Sequence, residues 1–186
     1  WEDIPKTSYN QLTGVFGGAS QLGLLTIVTD EGIDGHSFLG SAMSSVEFDG
    51  SSLIRHLKPL LLGEDALSRE RIYQRICQRS RYTTWRAIGA VDIALWDIAG
   101  KAADLPIHKL LGSYRDKVPA YASSAVLSSV GAYADEAVQF RDSGWSAYKI
   151  HPPTRWRGDI EVCQAVRRAV GDEYLVMLDS TWSYRY

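Results

Sequence analysis

The chain has 186 residues, 45% of them hydrophobic and 23% charged, enough for one full domain and part of another. A net charge of −2 gives no electrostatic case for a polyanionic partner such as nucleic acid. Two cysteines, Cys77 and Cys163, with no CxxC pair, argue against a disulfide framework and a zinc site, and no apolar run approaches the roughly 20 residues a membrane-spanning helix needs. The N-terminal "WEDIPKTSYN" lacks the basic start and apolar run of a signal peptide, so the expectation is a cytoplasmic protein without membrane contact.

Along the chain, the first twenty residues hold Gly14, Gly17 and Gly18 and little periodicity, which reads as a loop. "LGLLTIVTDEGIDGHSFLG" has apolar runs on both sides of Asp30-Glu31-Gly32, the pattern of a β-hairpin. Residues 66–80 read as an amphipathic helix with Leu67, Ile72, Ile76 and Cys77 near one stripe. The arginines around it (Arg69, Arg71, Arg75, Arg79, Arg81, Arg86) are interspersed with or adjacent to Glu64, Asp65 and Glu70 and read as a solvated face. "TTWRAIGAVDIALWDIAGKAADL" is the clearest helix: Ile88, Val91, Leu95, Ile98 and Ala102 recur at helical spacing. Ala87, Ala90 and Ala94 beside them would let another helix approach closely. Pro106 marks its end, and "IHKLLG" makes one more turn.

From Val118 the pattern changes to β-α-β-α-β. "VPAYAS", "SAYKIH" and "YLVMLD" are the strands. Residues 129–143 form one helix, ended by Gly144. "GDIEVCQAVRRAV" forms the other, with Asp159 as expected N-cap and Gly171 just past its end. The third strand is apolar along its length, as in a parallel sheet covered on both faces.

In such a sheet, ligands bind at the C-terminal strand ends. Lys149 and His151 end the second strand and Asp179 ends the third. At i and i+2 the two basic side chains share a face, with Cα atoms roughly 6–7 Å apart, while Ile150 points the other way. Each residue alone is weak evidence; together they place two bases and one carboxylate at one mouth. Removing a proton next to a carboxylate needs a base and a way to offset charge on the resulting enediolate. A divalent cation on Asp179 and a lysine whose pKa is depressed by a neighbouring cation would supply these parts.

"GWSAYKIHPP" followed by "DIEVCQAVRRAVGDEYLVMLDSTWSY" resembles the mandelate racemase subgroup of the enolase superfamily, and "AIGAVDIALWDIAGKAADLPIHKLLG" resembles the α+β capping domain of the same superfamily. The resemblance runs over nearly the whole chain. It implies an α+β capping domain over residues 1–117, lacking its first strand, and the first three strands of a (β/α)8 barrel over 118–186. A full barrel takes about 250 residues, so the chain is expected to be an N-terminal fragment of a longer enzyme.

Carried over by position, Lys149 and His151 fall on the Lys-x-Lys pair and Asp179 on the first Mg2+ ligand, with histidine a departure at the second position. The second position is usually the proton-abstracting base, so either His151 takes that role or Lys149 has taken it over. Family members often carry asparagine two residues after the aspartate, where this chain has Thr181. As part of the capping domain, the loop from Tyr9 to Ser20 would lie near the substrate. The implied activity is Mg2+-dependent dehydration of a sugar acid to a 2-keto-3-deoxy acid, by a homo-oligomer acting on a small carboxylate. A racemase, epimerase or cycloisomerase of the same superfamily is the alternative. A non-catalytic binding module is a third reading if the chain is complete as it stands.

Overall fold

A computed structural model of the chain describes residues 2–5, 19–40 and 46–180. They fall into two compact units that separate between Tyr114 and Arg115. The glycines at 14, 17 and 18, most of the Tyr9–Ser20 loop and Thr181 lie outside the described residues.

The first unit carries a three-stranded antiparallel sheet in the order β1 (Glu2–Pro5), β2 (Ala19–Val28), β3 (Asp34–Leu39). β2 and β3 form the expected hairpin, with Thr26 opposite His36 and Val28 opposite Asp34. Gly32 sits at φ 76° in the turn, a conformation that glycine reaches without a Cβ clash. The Thr29 hydroxyl closes the turn by donating to the Ile33 carbonyl and accepting the Ile33 N–H. β1 is a strand within the first twenty residues, which the sequence suggests are loop. Glu2 to Pro5 pair with Leu22 to Ala19, the end of β2 that runs beyond its pairing with β3. Four residues ending in proline carry little strand pattern of their own, so pairing with a long neighbour decides their state.

Among the described residues five helices follow: α1 (Val46–His56), α2 (Lys58–Leu61), α3 (Arg69–Cys77), α4 (Trp85–Ala102) and α5 (Ile107–Leu110). Ile72 and Ile76 of α3 are buried as expected. Leu67 is instead exposed in the preceding turn, where Asp65 accepts the Leu67 N–H and the Ser68 hydroxyl proton and so competes with an earlier helix start. Thr84 caps α4 by accepting the Ala87 N–H. Ile88, Val91, Leu95 and Ile98 are buried with Leu39, Val46, Leu53 and Leu57 in one core, each large side chain contributing about 2 kcal/mol. Ala102, the last member of the stripe, is exposed in the final turn.

The alanine face of α4 receives a strand where a helix was expected. Ser37 of β3 donates to the Ala90 carbonyl at 2.7 Å, and a Cβ on Gly35 would meet the Ala94 carbonyl oxygen at 2.1 Å. Small residues on both partners bring helix and sheet backbones together. The arginines of this unit are largely paired: Arg69 with Asp92, Arg71 and Arg75 with Glu64, and Arg86 with Asp49.

The second unit is a parallel sheet in the order β4 (Ala122–Ser123), β5 (Ala147–Ile150), β6 (Leu175–Leu178), with α6 (Val130–Asp142) and α7 (Trp156–Val170) as crossovers. Ser129 caps α6 by accepting the Ala132 N–H, and Gly144 follows its end at φ 89°. Asp159 is not the N-cap of α7. It lies a turn inside the helix, buried, and its carboxylate reaches back to accept the Arg155 N–H at 3.1 Å. Gly171 ends α7 at φ 82°, as its position suggests.

Tyr148 and Ile150 of β5 are fully buried with Tyr133, Ala137, Val162 and Val166 of the helices. The Tyr148 hydroxyl donates to Glu136, and burial together with that carboxylate pushes its pKa upward. β6, like β4, is an edge strand among the described residues, so Leu175 and Leu178 are exposed and the strand is not covered on both faces. No closed barrel forms among the described residues, and none of their helices is long and apolar enough to cross a membrane.

Candidate active site

Strand alternation builds the site. Because Tyr148 and Ile150 face the helices, Lys149 and His151 face the opposite side of the sheet. The parallel register sets Ser123, Lys149 and Met177 side by side, and the Asp179 N–H continues the ladder onto the Ile150 carbonyl at 2.9 Å. Lys149 Nζ lies 3.1 Å and His151 Nε2 3.2 Å from the same oxygen, Oδ2 of Asp179. The structure therefore brings all three sequence-derived residues to one point at the strand ends. Lys149 and His151 are largely covered, at 20% and 17% side-chain exposure, while Asp179 is the most open at 39%.

Lys149 departs from the expected depression of its pKa. The hydrogen bond it donates to Asp179 holds its ammonium above the ordinary lysine range, burial opposes that, and a hydrogen bond with Tyr121 adds to it. A carboxylate at contact distance outweighs the neighbouring imidazole. The Tyr121 ring also lies under the ammonium, 5.2 Å from its centroid.

Sequence reasoning missed four residues around this trio. Tyr121 and Ser123 follow the i, i+2 rule along the first strand, so alternation within "YASS" marks them for the same face as Lys149. Ser124 and Tyr133 hold His151 from behind. Ser124 Oγ accepts the His151 N–H at 2.8 Å, Tyr133 donates to the His151 carbonyl at 2.8 Å, and His151 Nδ1 lies 2.7 Å from the Ser124 carbonyl oxygen. Tyr133 carries no signal in the sequence, because its role depends on where α6 lands.

A hard cation such as Mg2+ takes several oxygen ligands in octahedral geometry. The exposed carboxylate of Asp179 fits as one such donor, and no group of three metal-ligating side chains occurs among the described residues. The arrangement can hold an anionic group against Lys149, present a base at His151 and offer one carboxylate to a cation.

Residues 14–112 match the family Mandelate racemase / muconate lactonizing enzyme, N-terminal domain. The chain is 29% identical to D-xylonate dehydratase of Haloferax volcanii over 87% of its own length and 44% of that protein's. It is 32% identical to 3,6-anhydro-alpha-L-galactonate cycloisomerase of Streptomyces coelicolor, covering 86% of this chain and 47% of the relative. The crystal structure of D-glucarate dehydratase from Agrobacterium tumefaciens complexed with magnesium superposes with a TM-score of 0.75 at 33% identity, over 88% of this chain and 47% of that one. The chain thus spans about half the length of these relatives, which are enzymes; racemases are also among the matched proteins.

Proposed function

The chain belongs to the mandelate racemase / muconate lactonizing enzyme family of the enolase superfamily, and from that premise we propose that it carries the acid–base half of a site that removes the proton α to a carboxylate. The observation that carries this reading is the convergence of Lys149 and His151 on Asp179 Oδ2 at 3.1 and 3.2 Å. The substrate class is a sugar acid, and the reaction is dehydration to a 2-keto-3-deoxy acid.

Lys149, cationic beside Asp179, holds the substrate carboxylate and leaves less charge to be stabilised when the proton departs. His151 takes the α-proton, and the C–H electron pair becomes the C=C bond of the enediolate. The electrons then return to expel the β-hydroxyl, which takes up the proton held by His151 and leaves as water. The resulting enol tautomerises to the 2-keto acid. Asp179 is one carboxylate of a Mg2+ site, where the bound ion offsets charge developing on the substrate carboxylate.

The test is to incubate the intact protein and Mg2+ with a panel of sugar acids in deuterated solvent. Keto acid together with α-deuterium supports dehydration. Exchange or isomer interconversion without loss of water points to the racemase or cycloisomerase reading, which the cycloisomerase among its relatives motivates. Neither product nor exchange on any acid would overturn the assignment.

A further inference from the structure

The end of β4 departs from a regular parallel ladder at one residue. Ser124 N–H donates to the Lys149 carbonyl at 2.9 Å, as the ladder requires. The next bond should run from the His151 N–H to the Ser124 carbonyl. It runs instead to the Ser124 hydroxyl oxygen at 2.8 Å, and the carbonyl is given to the imidazole, 2.7 Å from Nδ1. A carbonyl oxygen can only accept, so Nδ1 carries a proton. Nδ1, held by this shorter contact, keeps its proton, and Nε2, which faces the Asp179 carboxylate at 3.2 Å, is the nitrogen left to exchange a proton with the site.

Two further contacts hold this arrangement in place. The Ser124 side chain is buried, its hydroxyl in contact with the His151 N–H at 2.8 Å, which leaves it little room to turn away from that donor. Tyr133, only 1% exposed, accepts the Leu127 N–H at 2.9 Å and donates to the His151 carbonyl at 2.8 Å, tying the loop after β4 to the segment leaving β5. The following Pro152 has no N–H, so the backbone after His151 offers no competing donor at that position.

We propose that Ser124 and Tyr133 are positioning residues that clamp His151 with Nδ1 protonated and Nε2 directed into the site. The Ser124 hydroxyl does so by replacing its own carbonyl in the ladder. This rests on the reading of His151 as the proton acceptor. A ring free to flip or to exchange tautomers would present Nε2–H, a donor, to the substrate for part of the time.

The experiment is a long-range 1H–15N correlation spectrum of the intact protein with 15N-labelled histidine, the His151 signals being identified by their loss in His151→Asn. As the pH is raised until the ring is neutral, the wild-type spectrum should show the proton on Nδ1. In Ser124→Ala the His151 N–H loses its acceptor and takes the carbonyl, so the Nε2–H form should appear. The same variant should lose about tenfold to hundredfold in kcat for α-proton exchange, with KM within about twofold. Ser124→Thr, which keeps the hydroxyl, should restore both, and Tyr133→Phe should lower kcat in the same direction. A wild-type ring protonated on Nε2, or a Ser124→Ala ring that keeps its proton on Nδ1 at unchanged kcat, overturns the clamp. If the wild type exchanges no α-proton on any acid, the functional reading falls while the spectrum still decides the clamp.

Discussion

Asp179 receives the ammonium of Lys149 on Oδ2 at 3.1 Å, thirty residues along the chain and one strand across the sheet. That oxygen also faces His151, so one carboxylate organises both basic groups. Asp179→Asn keeps the shape and removes the charge. In the intact protein it should weaken Mg2+ binding and α-proton exchange by at least about 100-fold. Isothermal titration with Mg2+ reads the first and deuterium incorporation the second. Wild-type affinity in the variant would remove Asp179 from the metal site.

The two basic residues should separate by kinetic signature. His151→Asn removes the proton acceptor, so exchange should fall roughly 10²–10⁴-fold with KM little changed. Lys149→Met removes a cation that holds the substrate carboxylate, so KM should rise by roughly tenfold to a hundredfold. A Lys149→Met protein without exchange beside an active His151→Asn protein would reverse the roles.

The parts of the fold written in local pattern were readable in the sequence. The stripe of α4, the β2–β3 turn and the alternation that sends Lys149 and Ile150 to opposite faces each follow from spacing within a few residues. What sequence spacing does not encode is which partner arrives. The alanine face of α4 suits a helix or a strand equally, and Gly35 and Ser37 of β3 decide for the strand. The β1 strand exists through its pairing with β2, and Tyr133 reaches His151 because α6 lands there. The capping carboxylate of α7 was misplaced for a related reason. Asp159 looks like a cap by residue type, yet it works from inside the first turn.

The close approach of β3 to α4 makes Gly35 the most restrictive of the described glycines in the first unit. An added Cβ would lie 2.1 Å from the Ala94 carbonyl oxygen and 2.7 Å from Ile98 Cγ1, and a helix backbone cannot yield as a flexible side chain would. Gly35→Ala should cost about 3 kcal/mol, at the upper end for overpacking. Gly32→Ala meets no atom within 4 Å and carries only the strain of its φ of 76°, about 1 kcal/mol. Urea unfolding should rank the two in that order. Equal midpoints would show that β3 shifts away from the helix at little cost.

Asp49 is fully buried in α1, and its carboxylate is held by Arg86 through Nε at 2.8 Å and a second nitrogen at 3.2 Å, with the Thr84 hydroxyl at 2.7 Å. Arg86→Ala leaves that charge buried with one fewer partner, and should destabilise the protein by about 3 kcal/mol. Arg86→Lys keeps the charge but cannot make the paired contact and should recover only part of the loss. Thermal unfolding of the three proteins checks the order, and an Arg86→Ala protein as stable as the wild type would mean that Thr84 and its surroundings satisfy Asp49 alone.

Asp97 ties α4 to β3 through one oxygen, accepting from Lys101 Nζ at 2.6 Å and from the His36 N–H at 2.9 Å. The Lys101 hydrogen bond, with a smaller part from His36, holds its carboxyl below the ordinary value of 3.8, against the opposing effect of burial. A folded pKa below the unfolded one means that the carboxylate stabilises the fold fully above about pH 3.8 and loses that contribution as pH falls through the folded value. Lys101 is half exposed, so screening keeps the gain to roughly 1 kcal/mol. Asp97→Asn should therefore be less stable than wild type at pH 7 in urea unfolding. The gap should close as the pH is lowered below that range, because protonation makes the wild-type side chain neutral too. A gap that stays constant to low pH would show that the shape of the Asp97 side chain, and not its charge, secures the strand to the helix.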